Sequence, residues 1–341
     1  MSSRYERQVA LIGPAAQEKL AAAHVAVLGA GGLGSPALLY LAAAGVGTIT
    51  VIDDDTVDVT NLHRQVIHST STLGKSKAGS AKQRMTQLNP QVRVNAVAQR
   101  LTWENALDLL RGADVVLDGS DNFDARHVAS HAAARLDIPH VWASILGHEA
   151  QLSVFWAGRG PVYEDLFPAP PPPGSVPSCA QAGVLGPLVG MVGSAMAMEA
   201  VKIITGLGEP LFGRLAYLDS LTMNWEFVPV LADAEVTRRV LVDAPPHGPA
   251  EVDAPAPGAT VIDVRTPEEF ARSHLEGAVN VPLDEILAGR TPAEAENGAV
   301  VVCARGARSA QAVAALEARG VRGLASLRGG LQRYRSDSAP G

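Results

Sequence analysis

The chain is 341 residues long, enough for two domains each with its own core. Hydrophobic residues make up 47% and charged residues 18%, the balance of an ordinary globular protein and not of a disordered one. The net charge of −7, with no Lys/Arg run, gives no support for a nucleic-acid partner. Two distant cysteines, Cys179 and Cys303, cannot form a disulfide framework and fit a reducing compartment. The polar stretch Met1 to Gln8 does not read as a signal peptide, so a cytoplasmic chain is expected.

Val25 to Leu28 is an apolar run suited to a buried strand. Gly29, Gly31, Gly32 and Gly34 follow at once, and then a helix-forming run from Ser35 to Ala44. In this context the glycine spacing binds phosphates: the first glycine makes the tight turn, the second admits an anion, and Gly34 lets the helix approach the strand. A second strand, Thr48 to Ile52, ends in Asp53, where a carboxylate can accept from a ribose hydroxyl. Acids and polar residues from Asp53 through Asp55 to Gln65 come next, then Lys75-Ser76-Lys77 and a helix over Ala78–Asn89. Val92–Ala98 reads as a strand, Trp103–Leu110 as a helix and Asp114–Leu117 as a strand ending Asp118-Gly119-Ser120-Asp121-Asn122. A helix over Ala125–Leu136 and a strand near His140–Ala143 complete the alternation. This pattern predicts an α/β fold with a Rossmann-like, doubly wound, mostly parallel sheet, and ligands at the carboxyl ends of its strands.

Arg4-Tyr5-x-Arg7-Gln8, the glycine loop, Asn61-Leu62-x-Arg64-Gln65, Lys77, Ser120-Asp121-Asn122 and Pro177-Ser178-Cys179-Ala180 together resemble the MoeB/ThiF family, relatives of the ubiquitin-activating enzymes. The resemblance covers roughly residues 1 to 230. It implies ATP-dependent adenylation of the C-terminal Gly-Gly carboxylate of a small ubiquitin-like sulfur carrier. By the same resemblance Asp53 holds the ribose, and Asn61, Arg64 and Lys77 contact the phosphates. Asp121 holds Mg²⁺, with Asp55, Gln65 and Asn122 beside them in the nucleotide site. Arg7 reaches the neighbouring subunit's site, which implies a homodimer. Cys179 falls on a loop crossing the active site, where it is either a structural residue or an acceptor or resolving thiol. An NAD-dependent dehydrogenase, the competing reading of the glycine loop, does not need this set of phosphate-clamping cations.

Gly186 to Thr205 is apolar enough to span a membrane, but Glu199 and Lys202 interrupt it, so a buried helix is expected and no membrane partner. The prolines between residues 157 and 178 exclude regular structure there. Many relatives bind a structural zinc through two C-x-x-C pairs. Here Val162 and Asp165 stand at the first pair's positions, and the region just past Leu231 has no cysteine, so no zinc is expected. Packing of Phe167, Tyr217 and Trp225 is the expected substitute.

Residues 233–257 read as a Pro/Ala-rich linker between a first domain over 1–232 and a second over 258–336. In the second, a strand over Thr260–Arg265 and a helix opened by Pro267 precede Val300-Val301-Val302, which runs into Cys303-Ala304-Arg305-Gly306-Ala307-Arg308 and a further helix. This resembles a rhodanese domain. The thiol follows a strand at a helix N-terminus, where Arg305, the Gly306 loop and Arg308 would stabilise a thiolate and hold a persulfide anion. Four residues between Cys303 and Arg308, one fewer than in cysteine-dependent phosphatases, favour a cradle for sulfur over one for phosphate. Together the resemblances imply an adenylyltransferase with sulfurtransferase activity, supplied by a persulfide donor such as a cysteine desulfurase, or by thiosulfate. The alternative is a binding or regulatory module with silent sites. By the same resemblance, molybdopterin, thiamine, tRNA-thiolation and cysteine pathways all employ such carriers.

Overall fold

The structure is a computed structural model that describes residues 3–171 and 183–337. The chain divides into two compact units, with the boundary between Pro246 and His247. Cys179 lies outside the described residues.

In the first unit the strands are β1 (His24–Leu28), β2 (Thr48–Ile52), β3 (Arg93–Val97), β4 (Val115–Asp118), β5 (His140–Leu146), β6 (Glu149–Phe155), β7 (Arg214–Asp219) and β8 (Asn224–Pro229). They form one sheet in the order β3-β2-β1-β4-β5-β6-β7-β8. The first five run parallel, and β6 to β8 add antiparallel. The antiparallel edge was not legible from the β/α alternation. β1 and β4 are buried almost throughout because both sheet faces are covered, which is why they read as unbroken apolar runs. Strand order reverses between β1 and β4, and a crevice opens at that switch point.

The helix Gly186–Thr205 is long and apolar enough to cross a membrane by length and composition, yet half of it is buried and it packs on the helix Gly34–Ala44. Its glycines are there for close approach. A Cβ at Gly193 would sit 2.2 Å from the Leu33 carbonyl oxygen, and one at Gly186 would sit 2.4 Å from that of His63. The helix is thereby pressed against both loops that build the crevice.

Two expectations need correction. The stretch read as a linker begins with a helix, Ala234–Val242, capped by the Asp233 carboxylate, which accepts from the Glu235 and Val236 amides. Val236 and Val240, one turn apart, pack against Val162 and Ala134. The first unit therefore extends well past residue 232. Nor do Phe167, Tyr217 and Trp225 pack together. Phe167 joins Trp142 and Tyr163 in an aromatic cluster, and Trp225 packs on the main core. This corner is tied instead by Asp165, whose carboxylate accepts from the Val162 amide at 2.7 Å and the Asp233 amide at 3.0 Å. Among the described residues no group of three or more His, Cys, Asp or Glu could hold a metal ion.

The second unit has a parallel five-stranded sheet ordered β11-β10-β12-β13-β9, made from β9 (Glu251–Val252), β10 (Val261–Asp263), β11 (Val279–Asn280), β12 (Ala299–Val302) and β13 (Leu324–Leu327). β9 precedes the boundary expected at 258 and pairs with β13. β12 is fully buried and delivers Cys303 at its carboxyl end.

Candidate active site

The crevice at the end of β1 and β4 encloses a cavity of about 180 Å³. Its floor is the glycine loop. Gly29 has φ +83° and lies against Gly119, while a Cβ on Gly34 would meet the Gly29 carbonyl oxygen at 1.9 Å, so both positions require glycine. Asp53, at the end of β2, accepts from the Ala30 amide at 2.7 Å and the Asp55 amide at 2.9 Å. Burial raises its pKa above the usual aspartate value, against the pull of Lys77. His68 braces the loop from behind, its Nε2 2.9 Å from the Ala30 carbonyl and its Nδ1 2.9 Å from Ser80 Oγ, and burial lowers its pKa.

Four cations line the cavity: Arg64, Lys77, Arg100, which pairs with Asp54 at 3.1 Å, and Arg126. Arg64 donates to the Thr60 carbonyl and to Asn61 Oδ1 at 3.1 Å, and its Nη1 lies 2.8 Å from His63 Nε2. Lys77 is almost buried and its ammonium meets Asp55 at 2.8 Å. An Arg and a Lys on one glycine-rich crevice are the kind of donors that a polyphosphate takes.

Asp121 and Asn122 line the opposite wall. Asn122 caps the helix Phe123–Arg135 by accepting from the Ala125 amide at 2.7 Å. Asp118 anchors the loop. It is buried, which opposes its charge, but bonds from His140 and Ser120 hold its carboxyl below the usual range. Asp121 itself is exposed to the cavity and bonds no protein group among the described residues. One free carboxylate beside a phosphate site suits Mg²⁺, which binds through one or two carboxylates plus substrate phosphates. Gln65 Oε1 and Ser120 Oγ, both on the cavity wall, are buried with no partner among the described residues. Such atoms point to a polar occupant.

Of the expected nucleotide residues, Gly29, Gly31, Gly32, Asp53, Asp55, Arg64, Gln65, Lys77, Asp121 and Asn122 line the cavity. Gly34 and Asn61 act from behind it. Arg7, exposed on the helix Glu6–Ile12, does not reach the cavity of its own chain. Sequence reasoning missed Arg126. Its guanidinium donates twice to the Ser120 carbonyl, at 3.3 and 3.1 Å, and to Ser144 Oγ, and it lies between the Phe123 and Trp142 rings. The available signal was an arginine in the first turn of an otherwise alanine-rich helix.

In the second unit Cys303 is buried, and its Sγ accepts from the Gly306 amide at 3.1 Å and Ser309 Oγ at 3.4 Å. Gly306, φ +94°, turns the loop into the helix Ala307–Glu317. The arrangement directs donors at the sulfur, as a cradle for a thiolate or persulfide requires. Arg305 is exposed. Arg308 donates to both oxygens of Glu269, at 2.7 and 2.8 Å, a partner that the sequence reading did not foresee.

The ThiF family matches residues 5–238. The chain belongs to the ThiF family. A rhodanese-like domain matches residues 249–337. A Mycobacterium tuberculosis protein named probable adenylyltransferase/sulfurtransferase MoeZ is 41% identical over 99% of this chain and 94% of its own length. The sulfur carrier protein adenylyltransferase of Thermus thermophilus is 48% identical over 70% of this chain and 94% of its own. Among solved structures, Escherichia coli MccB with ATP superposes with TM-score 0.61 at 22% identity, over 69% of this chain and 72% of that one, a likeness of fold. The architecture is therefore a ThiF-type α/β domain joined to a rhodanese-like domain.

Proposed function

We propose that this enzyme adenylates the C-terminal carboxylate of a ubiquitin-like sulfur carrier ending in Gly-Gly, and converts the acyl-adenylate to a thiocarboxylate with sulfur carried on Cys303. The observation that carries the reading is the convergence of Arg64, Lys77, Asp53 and Asp121 on one glycine-floored cavity, in a chain that also holds a cysteine cradled at a helix N-terminus.

In the first step the carrier carboxylate attacks the α-phosphorus of ATP, the α–β phosphoanhydride bond breaks, and pyrophosphate leaves with the electron pair. Amides of the glycine loop, with Arg64 and Lys77, reduce the repulsion between the meeting anions. Asp53 receives the ribose, and Asn61 steers Arg64 toward the phosphates. Asp121 would hold Mg²⁺, which supplies charge neutralisation of the triphosphate when bound. Arg7, turned away from its own cavity, serves the site of a second copy, so the working unit is a homodimer.

In the second step the Cys303 persulfide attacks the acyl carbon and AMP leaves, giving an acyl disulfide. A second thiol then attacks the Cys303 sulfur and releases the thiocarboxylate, leaving a disulfide that a cellular thiol reduces. Cys179 is the chain's other thiol, and Cys179→Ala tests whether it or an external thiol does this.

Carrier-dependent exchange of labelled pyrophosphate into ATP tests the first step. Wild type exchanges with its carrier, whereas Asp121→Ala and Arg7→Ala lose most of the rate. Full exchange in Asp121→Ala, or none in wild type with any Gly-Gly carrier, overturns the assignment.

A further inference from the structure

Two arginine–carboxylate pairs stand beside the sulfur loop, which itself carries a third arginine, Arg305. Arg265 is buried against Asp263, with Nη2 to Oδ2 at 2.6 Å and Nε to Oδ1 at 2.9 Å. Arg308 spends Nη1 and Nη2 on the two oxygens of Glu269. That fork is what an arginine would otherwise offer to an oxyanion. Glu269 is itself fixed, because it also accepts from the Thr266 amide at 3.2 Å in the capping box of the helix Pro267–Arg272. Only Arg305, exposed and bonded to no group among the described residues, offers an uncompensated positive charge beside the loop.

We propose that Glu269 sets which sulfur donors the loop accepts: by occupying Arg308 it matches the site to donors with one negative charge at the transferred sulfur, the organic persulfides, and disfavours dianionic thiosulfate. The inference rests on the reading of Cys303 as a sulfur carrier. With either donor the Cys303 thiolate attacks the outer sulfur, a new S–S bond forms, and the donor's S–S bond breaks. The electron pair departs on a thiolate from a persulfide, or on sulfite from thiosulfate, with no external oxidant or reductant. The two donors differ in the charge that must be accommodated. A monoanion is served by Arg305 and the Gly306 amide. A dianion needs a second free cation, and Arg308 becomes one only by leaving a bidentate carboxylate. Arg308 also holds the Glu269 carboxyl down to about 2, so the pair stays ionised wherever the enzyme works.

Thiosulfate and methanethiosulfonate make the decisive pair of donors, because they differ by one charge and lose closely similar leaving groups, sulfite and methanesulfinate. Glu269→Gln keeps the side chain's shape and an acceptor for Thr266 but releases the charge of Arg308. In this variant the ratio of kcat/KM for thiosulfate to that for methanethiosulfonate rises about tenfold, through KM. Glu269→Asp, too short to hold both guanidinium nitrogens, shifts the ratio the same way and covers the case of a poorly folded Gln variant. An unchanged ratio in both variants overturns the proposal. An equal loss with both donors also overturns it and leaves Glu269 only to position Arg308. Intact mass of the protein after each donor separates the two readings. Sulfur added to wild-type Cys303 with an unmoved ratio sinks the role of Glu269 alone, and no added sulfur from either donor sinks the carrier role as well.

Discussion

Arg126 connects the loop bearing Asp121 to the helix behind it. Its two bonds to the Ser120 carbonyl hold the chain one residue before Asp121, and its planar face fills the gap between Phe123 and Trp142. A lysine would keep the charge but lose the fork and the stacking. Arg126→Lys is therefore expected to lower the rate of pyrophosphate exchange by up to about 100-fold through misplacement of Asp121, with ATP affinity changing much less. A variant that exchanges at the wild-type rate would show that the loop holds its geometry without Arg126. Among the residues that line the cavity, those legible were the ones whose types fall at particular spacings: Asp53 after a strand, Arg64 and Lys77 beside a glycine loop. Arg126, His68 and Glu269 were not. Their partners are backbone carbonyls, as for Ser120 and Ala30, or a side chain 39 residues away, as Arg308 is from Glu269.

At the scale of elements, the β/α alternation carried the parallel half of the sheet, and the antiparallel strands β6 to β8 escaped it because nothing in an alternation announces its end. The helix Ala234–Val242 was hidden for a different reason. It lies in a stretch of prolines and charges, and its short apolar face, Val236 and Val240, becomes meaningful only once Val162 and Ala134 are seen to receive it. Asp165 is the hinge of this corner, satisfying the Val162 and Asp233 amides at once. Removing a carboxylate that pairs two backbone donors costs about 1–3 kcal/mol per donor left unsatisfied. Asp165→Ala is thus expected to lower the melting temperature by about 5–10 °C, since 1 kcal/mol corresponds to roughly 2–4 °C in a unit of this size. Its pyrophosphate exchange at low temperature should stay close to wild type. Unaltered melting would mean that the valine contacts hold the corner without the carboxylate.

The whole molecule places two chemistries on one chain. The ThiF-type domain holds a glycine-floored cavity, and the rhodanese-like domain holds a buried cysteine at a helix N-terminus. The helix Ala234–Val242 takes up the front of the expected linker, so the tether between the last helix of one unit and β9 of the next is residues 243–250, which include Pro245, Pro246 and Pro249. The division of labour was readable from sequence, because each domain carries its own spaced motif. The tether's length was not, since composition alone does not separate a capped helix from a flexible run. The central claim is that adenylation and sulfur delivery are separate functions of this chain, joined through Cys303. Thiocarboxylate formation on the carrier, measured by mass with ATP and a persulfide donor and no free sulfide, tests it most directly in Cys303→Ala. The account predicts wild-type pyrophosphate exchange together with loss of the thiocarboxylate. A thiocarboxylate yield in Cys303→Ala equal to that of wild type would contradict it.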